Sequence, residues 1–328
     1  SEQVLIDGVS ICNGQASGAG RDGEGGGVFL PGNCILQRSR LYANIARRGG
    51  GAAVLGASIV RQCLFQNNEL YTDGWAGEGA GVFLEGDGAS LENCLVMNNG
   101  LGSQGAYRGG GGVAVAGAGK VDFCTITGNH GIGAGSGVRY SGIDGQLRNS
   151  VIWGNQGNPC QLCSNETQLQ NNAVESDIEI PGCLALRAAN SGESGPAGND
   201  NRVHGYYPCF IAPERGDYRL AAGSYLLNRA QAECILADAA SRLRNHTPYS
   251  DIGCYEEDLP GNLTGDFQIG VPLVYAENAL LIYHSGQATP ALTDVSFSSG
   301  SALADWRQEE GSVWSLTCRQ TGVLELVL

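Results

Sequence analysis

The feature that most constrains this chain is a repeated pair of residues, a cysteine or serine followed five positions later by an asparagine. The asparagines recur at steps of 24, 31, 30 and 26 residues and are Asn44, Asn68, Asn99, Asn129 and Asn155. The small residues that precede them are Ser39, Cys63, Cys94, Cys124 and Ser150. Intervals of this length are too long for a helical period and indicate a solenoid in which each repeat forms one coil.

Each repeat also carries a glycine-rich marker before a short apolar strand. The markers are GGGVFL at 25–30, GGAAVL at 50–55, GAGVFL at 79–84, GGGVAV at 110–115 and GSGVRY at 135–140. Two further columns, three positions before and two after the small residue, are apolar in all five repeats, as at Val60 and Phe65. Short strands separated by glycine-rich turns predict a parallel β-helix.

Stacking of equivalent residues follows from this prediction, because neighbouring coils lie one strand spacing, about 4.8 Å, apart. We therefore expect the asparagines to form an amide ladder, and the cysteines to fill a corner that admits only small side chains. Cys63, Cys94 and Cys124 should be buried and unpaired. Asn13, 31 residues before Asn44, is expected in the same column of an earlier coil, preceded by residues upstream of Ser1.

Three parts of the chain are predicted. Residues 1–158 form the coils, 159–258 form closing coils with disulfide-rich excursions, and 259–328 form a small antiparallel β-sandwich-like domain. In the last part glycine thins out and alternating strands appear in NALLIYHS, LTDVSFSS, SVWSLTC and GVLELVL.

Composition restricts the partners and the compartment. A formal charge of −14 argues against nucleic acid and anionic membrane surfaces, both of which attract basic patches. No stretch approaches the roughly 20 apolar residues of a transmembrane segment. Twelve cysteines in a glycine-rich chain favour an oxidising compartment. No cofactor is expected, and the oligomeric state is left open.

Three motifs resemble a known group of proteins. FQNN at 65–68 matches the FxxN motif of bacterial secreted β-helix proteins related to polymorphic outer-membrane proteins. YYPCFIAPERGDYRLAAGS at 206–224 and DIGCYEE at 251–257 resemble the closing signature of the choice-of-anchor Q group of surface proteins. Cys209 follows its proline without the usual aspartate before it, and SYLLNRA replaces the usual SPAIDAG element.

This resemblance covers residues 1 to about 257 and implies a right-handed β-helix exported by a bacterium, secreted or held at the outer-membrane surface. It implies no catalytic residues, because no common activity defines the group. The strands after residue 259 are similar to the C-terminal sorting domains of type IX secretion cargo, although the VYDLxGR motif is not present.

Glu92 and Asp122 are the candidate catalytic residues. They are predicted to point outward from successive coils about 5 Å apart, the carboxylate separation found in retaining glycosidases. The alternative, which we favour, is a surface charge ladder in which Arg61 and Arg148 neutralise the two acids and lower both pKa values.

A candidate ligand-binding shelf lies in the loops that enter the glycine-marked strands. Its residues are Tyr71, Asp73, Trp75, Glu78, Tyr107 and Arg108. Aromatic rings beside carboxylates and arginine on one edge of a β-helix could form a shelf on which sugar rings stack. The alternative is a set of solvated loops whose alternating charges connect adjacent coils, and it is the one favoured.

Six cysteines outside the small-residue column are candidates for disulfides. They are Cys160, Cys163, Cys183, Cys209, Cys234 and Cys254, and a bridge between the last two would hold the loop before DIGCYEE. The first four could instead supply zinc thiolates, but only one pair has the close spacing of a zinc site, so disulfides are favoured and no metal is predicted.

These observations predict a secreted or cell-surface protein that acts in adhesion or glycan binding without catalysis, with a glycan or a host or cell-surface component as partner. The alternative is a polysaccharide lyase or glycoside hydrolase on the same scaffold.

Overall fold

The computed structural model describes residues 3–257 with gaps, and beyond them the backbone of six strands. The gaps are 72–76, 101–108, 132–134, 157–159, 163–166, 177–179, 187–207, 209, 222–223, 225, 228, 232–236 and 245–248. The chain divides into two compact units. The first consists of Ser1–Leu186, Ala212–Arg219 and Leu226–Glu257, and the second of Arg187–Ile211, Leu220–Tyr225 and Asp258–Leu328.

The first unit is built on three long parallel sheets, named A, B and C here. Sheet A contains Val4–Asp7, Cys34–Gln37, Ile59–Arg61, Ser90–Glu92, Lys120–Asp122, Gln146–Arg148 and Gln168–Gln170. Sheet B contains Ser10–Cys12, Arg40–Tyr42, Leu64–Gln66, Leu95–Met97, Thr125–Thr127, Val151–Trp153, Asn172–Glu175 and Cys183–Leu186. Sheet C contains Val28–Leu30, Ala52–Leu55, Val82–Glu85, Val113–Ala116, Val138–Tyr140 and Cys160–Leu162.

The other elements of residues 3–257 are short. A small parallel sheet joins Gln15–Ala16, Ile45–Ala46 and Glu69–Leu70, and Ala230–Gln231 pairs antiparallel with Tyr249–Ser250. Two strands, Phe210–Ala212 and Asp217–Leu220, flank the 3-10 helix Pro213–Arg215, and a further 3-10 helix spans Gly20–Gly23. Within the described part of the chain, no helix has the length and apolar content needed to cross a membrane.

The chain enters sheets A, B and C in turn, and each strand pairs in parallel with the strand of the same sheet one repeat later. Phe65, for example, lies between Leu41 and Val96. Parallel strands need a long crossover connection, and the rest of one repeat provides it. These many-stranded parallel sheets confirm the all-β class, and their topology is consistent with a β-helix.

The inward side chains of the three sheets form one apolar core. Sheet A contributes Leu36, Val60, Leu91, Val121 and Leu147; sheet B contributes Leu41, Phe65, Val96, Ile126 and Ile152; sheet C contributes Val54, Leu84, Val115 and Tyr140. All are buried, and each such side chain stabilises the fold by about 1.5–3 kcal/mol relative to exposure. The two apolar columns predicted from the repeat are therefore confirmed.

The asparagine column forms the predicted amide ladder. The Nδ2 of each asparagine donates to the Oδ1 of the next, over 3.0 Å for Asn44–Asn68 and Asn68–Asn99 and 2.9 Å for Asn99–Asn129 and Asn129–Asn155. Each of these Oδ1 atoms also accepts the backbone N–H of the preceding asparagine. The second Nδ2 hydrogen reaches a backbone carbonyl of the sheet B strand one repeat earlier. The three central amides thus use their whole hydrogen-bonding capacity.

The glycine marker provides the space that this ladder occupies. A Cβ at Gly81 would lie 2.6 Å from the carbonyl oxygen of Gly112 and 3.1 Å from Nδ2 of Asn99. Its φ is not positive, so glycine is required there by close packing. Two residues earlier Gly79 has a φ of 65°, the left-handed conformation expected for a tight corner. The glycine and asparagine motifs therefore recur together because they build the same corner.

The cysteine column is a second hydrogen-bonded ladder. Sγ of Cys94 lies 3.2 Å from the carbonyl oxygen of Glu92 and accepts the N–H of Cys63 at 3.4 Å. Oγ of Ser150 accepts the N–H of Cys124 at 3.0 Å in the same way. All three column cysteines are buried and free, which confirms the prediction. They do more than fill space, because the sulfur also satisfies backbone groups at the corner.

The register of the first repeat differs from the prediction by one residue. Ser10–Cys12 pairs with Arg40–Tyr42 residue by residue, and the N–H of Gly14 donates to Oδ1 of Asn44 at 2.9 Å. Gly14 therefore occupies the ladder column, and Asn13 is an exposed residue with a φ of 57°. A Cβ at Gly14 would lie 2.0 Å from a backbone oxygen, which excludes a larger residue there.

Two of the six disulfide candidates are free thiols. Cys183 is half-buried, and Cys254 is fully buried inside the first unit, so the predicted bridge from Cys234 to Cys254 is wrong. Burial raises the pKa of the Cys254 thiol to about 12, which keeps it protonated. The side chain of Cys160, together with Cys163, Cys209 and Cys234, lies outside the described residues, and disulfides among these four stay a prediction.

The second unit contains antiparallel strands, as the alternating segments predict. Ala279–His284 pairs with Phe267–Gly270 and with Trp314–Cys318, which in turn pairs with Ala304–Gln308. Ser296–Ser299 pairs with Glu325–Val327. The antiparallel character of this part is therefore confirmed, whereas its packing as a sandwich stays a prediction.

Replacement of Asn99 by alanine should lower the free energy of unfolding by roughly 3–5 kcal/mol, because it removes four hydrogen bonds and leaves their partners buried. Urea denaturation followed by tryptophan fluorescence measures the change. Asn67→Gly is the matched control, since Asn67 is exposed and has a φ of 54° that glycine adopts readily. A decrease in the free energy of unfolding below about 1 kcal/mol for Asn99→Ala would show that the asparagine ladder contributes little to stability.

Candidate functional site

The entrance to sheet C carries a column of alternating charges. Glu24, Arg48 and Glu78 lie side by side in isolated parallel bridges, and each is followed by a glycine that lies three residues before a sheet C strand. Arg139, which points outward from a later sheet C strand, contacts the same column. We refer to these four residues as the sheet C ladder.

The ladder is ordered in depth as well as along the column. Arg48 lies 3.5 Å from Glu24 and 3.8 Å from Glu78, and Arg139 lies 3.1 Å from Glu78. The Glu24 and Glu78 side chains are only 4% and 10% exposed, whereas that of Arg48 is 43% exposed. The carboxylates therefore lie beneath, and the Arg48 guanidinium forms part of the surface.

An apolar layer supports this arrangement from below. Ala53, Leu55, Phe83 and Ala114 point outward from sheet C and are nevertheless buried. The guanidinium carbon of Arg48 lies 5.2 Å from the centre of the Phe83 ring, within the range of a cation–π contact. Two ion pairs and an aromatic ring thus hold one exposed arginine in place.

Two more charged residues extend the ladder. Arg21 contacts Glu24 at 2.7 Å and also pairs with Glu85, whose side chain is 36% exposed. Sequence reasoning did not select Arg21, Glu85 or Arg139 as site residues. In a strand, successive side chains point to opposite faces, and Val138 and Tyr140 of the GSGVRY segment point inward. This alternation is the signal that would have placed Arg139 on the outer face.

The predicted shelf is described only in part. Glu78 belongs to the sheet C ladder, which agrees with charges that connect adjacent coils. Tyr71 is half-buried, and its N–H donates to the carbonyl oxygen of Ala46 at 2.7 Å. The remaining four shelf residues, Asp73, Trp75, Tyr107 and Arg108, lie outside the described residues. The shelf therefore stays a prediction.

The candidate catalytic acids are direct neighbours on the outer face of sheet A. Glu92 pairs with Asp122 in the parallel register, as predicted. The Glu92 carboxylate accepts a hydrogen bond from Oγ of Ser90 at 3.0 Å. Asp122 is buried and accepts hydrogen bonds from Arg148 and from Nδ2 of Asn149, both at 2.9 Å.

Both acids have raised pKa values, so the expectation that arginines would lower them is wrong. Burial is the leading cause at Glu92, and the neighbouring Asp122 charge raises its pKa further. Burial is also the leading cause at Asp122, where it outweighs the opposing effects of Arg148 and Asn149. The sequence pattern shows neighbouring charges but does not show how deeply a row on a sheet is covered.

The depth of Asp122 follows from a segment that lies against this corner of the coils. We call residues 237–257, of which 237–244 and 249–257 are described, the strap. Arg244 donates from Nε and Nη2 to Oδ1 of Asn93 at 3.0 and 2.7 Å, and its guanidinium carbon lies 4.2 Å from the Phe123 ring centre. It also forms a fully buried ion pair with Glu256 at 2.7 Å.

The DIGCYEE motif supplies the strap's other contacts. The N–H of Cys254 donates to Oγ1 of Thr125 at 3.1 Å, and the N–H of Gly253 donates to the carbonyl oxygen of Asn149 at 2.9 Å. Gly253 has a φ of 110°, and a Cβ there would lie 2.9 Å from Oγ1 of Thr125, so no other residue fits. Nε2 of Gln62 donates to the Asp238 carbonyl oxygen. The motif is therefore structural here and connects two repeats, while Asp238, elsewhere in the strap, contacts a third.

No three His, Cys, Asp or Glu side chains are grouped as metal ligands among the residues that the structure describes. Of the alternative zinc set, only Cys183 is described with its side chain. Burial raises the pKa of its thiol to about 11, which disfavours the thiolate that zinc requires.

Comparison of the chain with protein-family models, with curated proteins and with solved structures gives no match.

Replacement of Arg244 by methionine should destabilise the first unit by roughly 3–5 kcal/mol, because the buried Glu256 carboxylate loses its arginine. Hydrogen exchange should show that residues 249–257 lose protection before the sheet A and sheet B strands do. Arg219→Gln is the control, since Arg219 pairs with Asp217 at the surface and such pairs contribute about 1 kcal/mol or less. Unchanged protection of the strap in Arg244→Met would contradict its role as anchor.

Proposed function

We propose that the chain is a right-handed parallel β-helix, secreted or displayed at a bacterial cell surface, and that it binds a glycan or a host or cell-surface component without catalysis. The observation that carries this proposal is the sheet C ladder. It places a fixed, exposed Arg48 above buried carboxylates at the entrance to sheet C, and one of these carboxylates, Glu78, lies three residues after Trp75 in the sequence.

Several features support a binding role for this face. The six strands of sheet C span about 24 Å at the usual strand spacing, which suits an extended ligand. Variable segments on a regular scaffold commonly hold the function, and residues 71–78 and 101–109 precede two strands of sheet C in the sequence. Export from a bacterium is supported only by the resemblance of the FQNN, GDYRL and DIGCYEE motifs.

The contacts at Asp122 favour binding over catalysis. Its carboxylate is buried, holds Arg148 and Asn149, and lies beside the strap. A catalytic nucleophile has to reach a substrate carbon, and a carboxylate whose hydrogen bonds stabilise two elements of the fold is poorly placed for that role. The structural contacts of Asp122 are enough to explain why this acid is buried, so its burial is not evidence of catalysis.

Glycan binding can be measured on an array with the intact chain. We expect Trp75→Ala to weaken binding at least about fivefold, since loss of one stacked ring removes about 1 kcal/mol or more. Tyr42→Ala is the control, because Tyr42 is an exposed aromatic residue on sheet B, 38% accessible. If the Trp75→Ala variant and the wild type bind with equal affinity, the shelf is not part of the binding site. If the protein binds no glycan on the array, the proposal of glycan binding is wrong.

A second candidate function is a polysaccharide lyase or glycoside hydrolase that uses Glu92 and Asp122. The raised pKa of Glu92 favours it, because a general acid must be protonated near neutral pH.

A reducing-sugar assay on neutral and acidic polysaccharides separates the two candidates. We expect the wild type to release no more product than a Glu92→Gln control, because the hydrogen bonds of Asp122 stabilise the fold and leave it poorly placed to react with a substrate. Product release that Glu92→Gln or Asp122→Asn abolishes, in variants with unchanged circular dichroism, would establish the enzyme instead.

A further inference from the structure

We propose that the ligand of the sheet C face is an uncharged, hydroxyl-rich polysaccharide, and that Arg48 and Glu85 bind its hydroxyl groups. This inference rests on the proposed binding function and specifies the class of glycan. It follows from the charge balance of the face, from the hydrogen-bonding capacity of Arg48 and from the position of the exposed carboxylate.

The ion pairs of the face are balanced in charge. They join three cations, Arg21, Arg48 and Arg139, to three anions, Glu24, Glu78 and Glu85. The whole chain carries a net charge of −14 and therefore repels a polyanion at long range. The ion pairs of the face provide no excess of positive charge that would offset this repulsion. A polycation would meet the guanidinium groups of Arg21 and Arg48, whose side chains are 52% and 43% exposed. An uncharged ligand meets neither penalty.

Arg48 has donors that its ion pairs do not use fully. Its contacts of 3.5 and 3.8 Å are longer than the roughly 2.7–2.9 Å of charge-assisted hydrogen bonds. A guanidinium has five N–H donors, and 43% of this side chain is exposed. The Phe83 ring and the two carboxylates hold it in one orientation, so a ligand hydroxyl orders little additional structure when it binds.

Glu85 provides an acceptor on the same face. Its side chain is 36% exposed and is oriented by Arg21, which also pairs with Glu24 beneath. A sugar hydroxyl is both a donor and an acceptor, so neighbouring hydroxyls fit a surface that presents arginine donors and a carboxylate together. A uronic acid would satisfy Arg48 but would bring its charge toward Glu85. At about 4 Å near a protein surface, such repulsion costs roughly 1–4 kcal/mol.

The test compares polysaccharides of each charge class by affinity electrophoresis and isothermal titration calorimetry. The probes are dextran, laminarin and galactomannan as neutral polymers, polygalacturonate and alginate as anionic polymers, and chitosan as a cationic polymer. We expect binding to at least one neutral polymer and at least tenfold weaker binding to the charged ones.

Arg48→Gln should weaken binding of the neutral polymer about tenfold or more, and Arg219→Gln, which alters an exposed pair on a different element, should not change it. Glu85→Ala should weaken it as well and serves as a second variant if Arg48→Gln does not fold. Preferential binding of an anionic or cationic polymer, or unchanged affinity in both variants, would overturn the inference and leave the binding function standing. Failure to bind any polymer would contradict the inference and the glycan-binding part of the proposed function.

Discussion

One requirement governs the whole repeat, which is that buried backbone groups at the corners must find hydrogen-bond partners. Groups that leave a sheet at a corner have no strand partner, and an unsatisfied buried group costs about 1–3 kcal/mol. An asparagine amide offers two donors and two acceptor positions, so one side chain bonds to the repeat before it and to the repeat after it. This is why the column is polar although Asn68, Asn99 and Asn129 are inaccessible to solvent. The cysteine column meets the same need with sulfur.

Much of this architecture can be predicted because stacking makes every constraint recur at equivalent positions. The ladder from Asn44 to Asn155 and the two apolar columns are visible for that reason. Prediction fails where a constraint occurs once. Gly14 occupies the ladder column because a Cβ would clash with the backbone oxygen of Gly26 in the same repeat, a contact that the sequence pattern does not show. Cys254 is a free thiol because the strap buries it, and the sequence pattern contains no sign of that packing.

The candidate sites were harder to predict than the fold, for two physical reasons. The sequence shows which charged residues form a row on a parallel sheet. Whether that row is buried depends on the strap, which is more than a hundred residues away in the sequence. Burial in turn decides the direction of the pKa shift at Asp122. The sheet C ladder was recognisable only as alternating loop charges. Its order in depth, with Glu78 beneath and Arg48 above, depends on Phe83 and on Arg139.

The two charged rows follow opposite rules, and the difference separates structure from binding. On sheet C the signs alternate through Glu24, Arg48 and Glu78, which avoids like charges on adjacent strands. On sheet A, Glu92 and Asp122 break that rule, and such a local conflict commonly marks a functional or strained position. Here the surrounding contacts account for it, because Asn149, whose side chain donates to Asp122, also accepts the strap's Gly253 N–H through its carbonyl. Asp122 and Asn149 are thus occupied in closing the fold, whereas the exposed edge of Arg48 at the entrance to sheet C retains donors for a ligand.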